Sequence, residues 1–289
     1  MGFTDPRPSL DTLPMKDCKT IALANQKGGV GKTCSTVNLG IGLARHGEKV
    51  LLIDADAQGS LSASLGIRTP DELSVTIVDL MKSVIDGKAP PDNYGIIHQA
   101  EGVDLLPANI ELSGFEVSMV NVMSREFVLR EALEPLRERY DHILIDCMPS
   151  LGMMTVNALA AADSVIIPTQ PSYLSTKGIG QLIGTITKVR RQINPRLRID
   201  GVLMTMVDRR TNNARDIIAS LRQLGDHLRV FETEIPFSVR AAEASMEGKS
   251  IYQYDGSGKV AAAYDALTKE VLEHEQRENR RSRASERLR

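Results

Sequence analysis

The stretch Ile21-Ala-Leu-Ala-Asn-Gln-Lys-Gly-Gly-Val-Gly-Lys-Thr33 decides how the rest of the chain reads. Ile21 to Ala24 is a short apolar run, which marks a buried strand. A glycine-rich turn follows. Ser35 to His46 then carries apolar residues at helical spacing (Val37, Leu39, Ile41, Leu43) before Gly47 stops it. Strand, glycine loop and helix form the context of a phosphate-binding loop. Glycines let backbone N–H groups turn inward around phosphate oxygens, and the helix start adds unpaired donors and the positive end of its dipole.

The common pattern G-x-x-x-x-G-K-[ST] is not met, because Gln26 holds its first glycine position. The loop reads Lys27-Gly28-Gly29-Val30-Gly31-Lys32-Thr33, with a second lysine at its head. That string is a deviant Walker A motif, and here the chain resembles the ParA/MinD family of P-loop ATPases. The resemblance implies ATP and Mg²⁺ as ligands. Gly28, Gly29, Val30, Gly31, Lys32, Thr33 and Cys34 would then cradle the phosphates, with Lys32 on the β- and γ-phosphates and Thr33 on the metal.

Outward from the loop, strands and helices alternate. Lys49 to Asp54 and His142 to Asp146 are further buried strands, each ending in a carboxylate. Short strands are expected at Val103–Leu106, Ser164–Ile167 (stopped by Pro168), Ile199–Met206 and Val230–Ile235. Helices are expected at Leu61–Leu65, Thr76–Val84, Ile110–Met123, Arg125–Arg139 (bent by Pro135), Thr155–Ala162, Lys177–Ile193 and Ala214–Leu224, with a last one from Gly258 to His274. Near-continuously apolar strands alternating with helices mean α/β architecture: a single P-loop NTPase domain, its mostly parallel twisted sheet covered by helices on both faces. The domain spans residues 19–274. Residues 1–18, with Pro6, Pro8 and Pro14, read as a flexible leader, and 275–289 as a frayed, arginine-rich tail.

In such sheets ligands bind at the carboxyl ends of strands, where Asp54, Asp56 and Asp146 all fall. If their strands are sheet neighbours, these carboxylates meet the loop. The resemblance extends to them. Asp54-Ala-Asp56-Ala-Gln58-Gly59 is similar to the family's switch I, and Ile143 to Leu151 to its Walker B and switch II. It implies that Asp54 and Asp146 serve the metal and that Asp56 orients the attacking water. Lys27 would reach across a sandwich homodimer to the partner's phosphates. Ala57 stands where the family has proline, and Cys147-Met148 where smaller residues are common.

The match runs from about Lys19 to Leu272 and is most similar to the Soj-like partition ATPases, in which the Thr205–Asp208 and Pro236 neighbourhoods lie near the adenine. Met206, Asp208 and Pro236 are therefore expected at the base. Phe237-Ser238 departs from the arginine and asparagine that usually follow that proline. The resemblance further implies a cytoplasmic, nucleoid-associated protein. It would bind double-stranded DNA without sequence preference as an ATP-bound dimer, and a ParB-like partner would release it. Candidate DNA contacts are Arg190 and Arg191, with Lys188, Arg196 and Arg198 nearby, and later Arg210, Arg240 and Lys249, with Arg209 and Arg215.

Composition bounds the alternatives. The 289 residues are 42% hydrophobic and 25% charged with net charge -2, so any nucleic-acid surface must be local. No apolar run approaches the roughly 20 residues of a membrane span. The 3 cysteines, Cys18, Cys34 and Cys147, show no metal or disulfide spacing, which argues against an oxidising compartment and against an iron–sulfur carrier. A MinD-like membrane-associated ATPase, the alternative, needs a C-terminal amphipathic helix. Residues 275–289 offer only Leu288 as a large apolar side chain. A metabolic ligase of the same superfamily would need a small-substrate pocket that these residues do not reveal.

Overall fold

The computed structural model describes residues 18–223 and 228–286. In chain order the elements are β1 (Lys19–Leu23), α1 (Lys32–Arg45), β2 (Val50–Ala55), α2 (Ser60–Ser64), α3 (Ile77–Ile85), β3 (Ile97–His98), β4 (Asp104–Leu106), α4 (Glu111–Ser118), α5 (Val128–Leu133), β5 (His142–Cys147), α6 (Met153–Ala161), β6 (Ser164–Thr169), α7 (Tyr173–Gln192), β7 (Arg198–Val207), α8 (Asn212–Arg222), β8 (Val230–Pro236), α9 (Val239–Met246), α10 (Ile251–Tyr254) and α11 (Lys259–Glu286). One sheet of eight strands runs in the order β3-β4-β2-β5-β1-β6-β7-β8. Only the pairing of β3 with β4 is antiparallel.

Side chains alternate across each strand, so every central strand feeds two cores. Ala22, Leu51, Ile53, Ile143, Ile145, Val165 and Ile167 face one core, against α3, α5, α6 and α7. Ile21, Leu23, Leu52, Leu144 and Ile166 face the other, against α1 and α11. Both faces are therefore covered. Gly40 on α1 permits close approach to the sheet, because a Cβ there would stand 2.4 Å from Leu52 Cδ2.

Several boundaries differ from the sequence expectation. The helix expected at Ile110–Met123 is the short α4 followed by a 3-10 turn, and that expected at Arg125–Arg139 is the short α5 between two 3-10 turns, the second of which contains Pro135. β6 continues through Pro168, whose carbonyl accepts a hydrogen bond from Asn25 Nδ2 at 2.7 Å. The short helices α9 and α10 carry little periodic signal and were not expected. The leader falls almost wholly outside the described residues, as do Leu224 and the last three residues.

The expected frayed tail is instead helical as far as Glu286. The reason lies at the amino ends of the strands. His142, 1% exposed at the start of β5, places Nε2 3.0 Å from Glu275 Oε2 of α11 and Nδ1 3.5 Å from Glu48 Oε2. Glu278 pairs with Arg198 at 2.7 Å and with Lys19 at 3.7 Å. These contacts pin the helix past His274.

Burial alone would lower the His142 pKa, but the two glutamates outweigh it and raise the value to about 9. A raised folded pKa means the stabilisation is complete below the unfolded value, about 6.5, and is lost as pH rises through 9. Denaturant melts of the wild-type protein should therefore weaken between pH 6 and pH 10 by on the order of 3 kcal/mol from this group. His142→Gln should lack that component, and identical pH profiles for the two proteins would contradict the assignment.

Candidate functional site

β5 lies between β2 and β1, and the register sets Asp146 beside Leu23 and beside Asp54. The loop leaving β1 and the two strand-end carboxylates therefore meet at one edge. Between β1 and α1, Gly29 (φ 68) and Gly31 (φ 80) take the left-handed conformation that side-chain-bearing residues rarely adopt. A Cβ at Gly28 or Gly29 would meet nothing within 4 Å, so the loop's open face is a cradle rather than a packed turn.

Asp146, 1% exposed, accepts from Thr33 Oγ1 at 2.6 Å through Oδ2 and from Thr36 Oγ1 at 3.2 Å through Oδ1. Asp54 is fully buried. Its carboxylate accepts from Ser62 N and Ser62 Oγ, both at 2.9 Å, and from Asp56 N at 3.2 Å. Burial is the first cause raising both carboxyls, to about 7 for Asp54 and about 6 for Asp146. Asp146 adds like-charge repulsion at Asp54, whereas Thr33 and the Lys32 ammonium partly offset the rise at Asp146. Two dehydrated oxygen ligands beside a hydroxyl suit a hard divalent cation such as Mg²⁺. Of the expected metal residues, Thr33 and Asp146 are in direct contact, while Asp54 faces inward onto Ser62.

Lys32 is 7% exposed, and its Nζ lies 3.4 Å from the Lys27 carbonyl. Burial lowers its pKa, opposed chiefly by Asp146. Asp56 is half-buried and accepts from Gln58 N at 3.0 Å, closing a tight turn after β2. Asn25, 3% exposed, accepts from Lys27 N at 3.0 Å and donates to Thr169 Oγ1 at 3.0 Å as well as to Pro168 O. Gln170 Nε2 donates to Gly29 O at 2.9 Å, and Thr205 Oγ1 to Val30 O at 2.7 Å. Asn25, Thr36 and Ser62 were not expected at the site. Their only sequence signal is position, next to the loop, one helical turn into α1, and at the start of α2.

Beyond the loop, a cleft of about 160 Å³ opens between the ends of β7 and β8. Gly31, Cys34, Met206 and Pro236 are among the residues that line it. Asp208 does not line it. Its carboxylate grips the Arg210 guanidinium at 2.8 and 2.7 Å, and this pairing lowers the Asp208 pKa to about 2.

The candidate DNA residues do not gather at one end of the sheet. Arg190 and Arg191 end α7, and Arg198 begins β7, so they sit at the amino ends of the strands. Arg210 and Arg240 follow the carboxyl ends of β7 and β8, as the phosphate loop follows β1, whereas Lys249 lies beyond α9 beside Ser250, whose amide donates to Glu101 in the turn before β4. Arg240 stands 3.7 Å from Asp255 and Lys249 3.8 Å from Glu247, while Arg190 and Arg191 form no ion pair among the described residues.

Known proteins resemble this chain over most of its length. The family model described as "AAA domain" matches residues 18–199. The sporulation initiation inhibitor protein Soj of Bacillus subtilis is 43% identical over 88% of this chain and 98% of its own length. The chromosome partitioning protein ParA of Caulobacter vibrioides is 42% identical over 89% and 95%. Among solved structures, cobyrinic acid a,c-diamide synthase from Mycobacterium smegmatis with bound ADP and magnesium superposes with a TM-score of 0.77, at 36% identity over 90% of this chain and 96% of that one.

The Asn25 bonds give a direct test of the site's support. Asn25→Ala leaves the buried Pro168 carbonyl and the Lys27 amide without that partner, so it should cost about 2 kcal/mol in urea denaturation and speed amide exchange in residues 26–31. A cost below about 0.5 kcal/mol would mean that Asn25 does not hold the loop.

Proposed function

The chain belongs to the ParA/Soj family of P-loop ATPases, and from that membership and the loop geometry we propose that it is a DNA-partition ATPase. ATP and Mg²⁺ bind at the phosphate loop, ATP closes a homodimer that holds DNA, and hydrolysis to ADP and phosphate releases it. The observation that carries the reading is the direct Thr33–Asp146 contact under a lysine-bearing glycine loop. Soj and ParA, similar over nearly the whole chain, favour partition over the biosynthetic amidation suggested by the solved relative's name.

Bound Mg²⁺ would neutralise phosphate charge and stabilise the leaving oxygen. Thr33 and Asp146 supply its protein oxygens, with Asp54 kept in place by Ser62. Backbone N–H groups of residues 28–33 bind the phosphate oxygens, and Lys32 adds a point charge on the γ-phosphate side. The desolvation that lowers its pKa also strengthens that charge, because little water screens it. Asp56, fixed by its own turn, orients the attacking water. Lys27 acts in trans: its ammonium reaches the partner's phosphates where the transition state gains charge. No helix among the described residues is long and apolar enough to cross a membrane.

DNA retention that depends on ATP needs cations whose arrangement changes when the nucleotide face closes. Arg210 and Arg240 border that face. Arg190 and Arg191 lie the length of α7 away, about 30 Å for its 20 residues. Closing the dimer doubles a weak phosphate-binding patch, and each phosphate neutralised steepens the salt dependence. A ParB-like partner then stimulates hydrolysis.

Co-sedimentation with DNA at several salt concentrations tests this. Binding should require ATP, fail with ADP, and weaken steeply with salt. The double variant Arg210→Glu/Arg240→Glu should lose at least tenfold in DNA retention while keeping ATP affinity, and Arg190→Glu/Arg191→Glu should lose less. Retention independent of nucleotide would refute the switch. A larger loss from the α7 pair would move the DNA surface to the other end of the sheet.

A further inference from the structure

We propose that Asp200, His274 and Glu278 form a second metal site, at the amino ends of the strands, which takes a divalent transition cation such as Zn²⁺ and ties α11 to β7. One ligand atom from each of the three lies within 4.8 Å of the others. His274 and Glu278 are four residues apart on α11, so one helical face presents both. Asp200 reaches them from the start of β7.

The strand is built to aim that carboxylate. β6 and β7 pair Val165 with Ile199 and Ile166 with Gly201, so Asp200 is the extra residue of a bulge. A bulge turns a side chain out of the regular alternation. Ser164 Oγ donates to Asp200 Oδ2 at 2.5 Å and fixes the carboxylate. The other oxygen, Oδ1, is buried without a hydrogen-bond partner in a residue only 4% exposed. Buried carboxylate oxygens are nearly always satisfied, and a bound ion is one of the partners that accounts for an exception. The Lys19 ammonium faces both carboxylates, 3.9 Å from Asp200 Oδ1 and 3.7 Å from Glu278 Oε2, beyond hydrogen-bond length from each. It marks a place for positive charge and fills it poorly.

The donor set selects the cation. One imidazole nitrogen and two carboxylates suit Zn²⁺ and balance its charge, whereas Mg²⁺ prefers oxygen ligands and keeps its waters. Burial, aided by Arg229, lowers the His274 pKa and so favours the neutral ring a metal needs. Arg229 is itself paired with Glu270 at 3.0 Å. Binding is an exchange of cations: the metal replaces Lys19 and also Arg198, which holds Glu278 Oε1 at 2.7 Å and is 58% exposed. Zinc bonds of about 2.0–2.2 Å set tetrahedral ligand atoms about 3.4 Å apart, so the three side chains draw inward by roughly an ångström as those cations leave. Water takes the fourth position.

Calorimetric titration of Zn²⁺ into the nucleotide-free full chain, stripped with chelator and kept in excess Mg²⁺, tests the site. One Zn²⁺ per chain should bind at micromolar concentration or below and raise the thermal midpoint. His274→Gln should weaken binding at least tenfold, with an unaltered midpoint in the absence of Zn²⁺ showing that the fold is intact. Lys19→Ala should tighten binding about tenfold, because it removes the competing ammonium. Co²⁺ in place of Zn²⁺ should give the strong visible absorption of a tetrahedral site, and Asp200→Asn should abolish it. No saturable binding, a His274→Gln variant that binds as the wild type does, or a Lys19→Ala variant that binds no tighter would overturn the proposal.

Discussion

Asp146 is the point on which the structure turns. It stands on the central strand β5, beside β1 on one side and β2 on the other, and holds the Thr33 and Thr36 hydroxyls at the start of α1. A carboxylate buried to this degree is costly unless hydrogen-bonded. Its partners are the same groups that shape the phosphate loop. The cost of burying Asp146 and the order of the loop are thus one physical fact. Asn25 and Gln170 reinforce the same loop from β6 and the segment after it.

The two ends of the parallel sheet handle charge differently. At the carboxyl ends, Asp54 and Asp146 are concentrated where a bound cation would relieve their repulsion. At the amino ends, charge is internally matched: His142 sits between Glu48 and Glu275, and Glu278 between Arg198 and Lys19. The second arrangement fixes α11 across the strand starts and leaves the opposite face to respond to ligand. Site charges that need a partner from outside, set against structural charges satisfied within, fit a protein whose state is set by what it binds.

Much of this was legible in the sequence because it rests on local rules. Glycines before Lys32-Thr33 suit a turn with positive φ, and apolar runs ending in aspartate mark buried parallel strands whose carboxyl ends share the loop's side. That β5 stands between β2 and β1, which brings Asp54 and Asp146 to the loop, is a fact of the sheet order. What escaped depends on packing between distant segments. Asn25, Thr36 and Ser62 are ordinary polar residues until tertiary structure aims them. The extension of α11 to Glu286 is invisible in a run of charges, since tertiary structure is needed to bring Lys19, His142 and Arg198 to Glu275 and Glu278. Asp208 has the reverse history: sequence position places it near the base, but Arg210 two residues on offers a guanidinium at once. The candidate DNA cations divide because α7 carries Arg190 and Arg191 the length of the sheet away from the loop.

In the proposed mechanism, triphosphate joins two copies, each lending Lys27 to the other. Light scattering on Asp56→Ala loaded with ATP and Mg²⁺ tests it most directly, because blocked hydrolysis should hold the closed state. The expected particle has twice the 31.6 kDa chain mass and returns to a single chain when Lys27→Ala is added. A single-chain mass for Asp56→Ala at saturating ATP, or a dimer indifferent to Lys27, would contradict it.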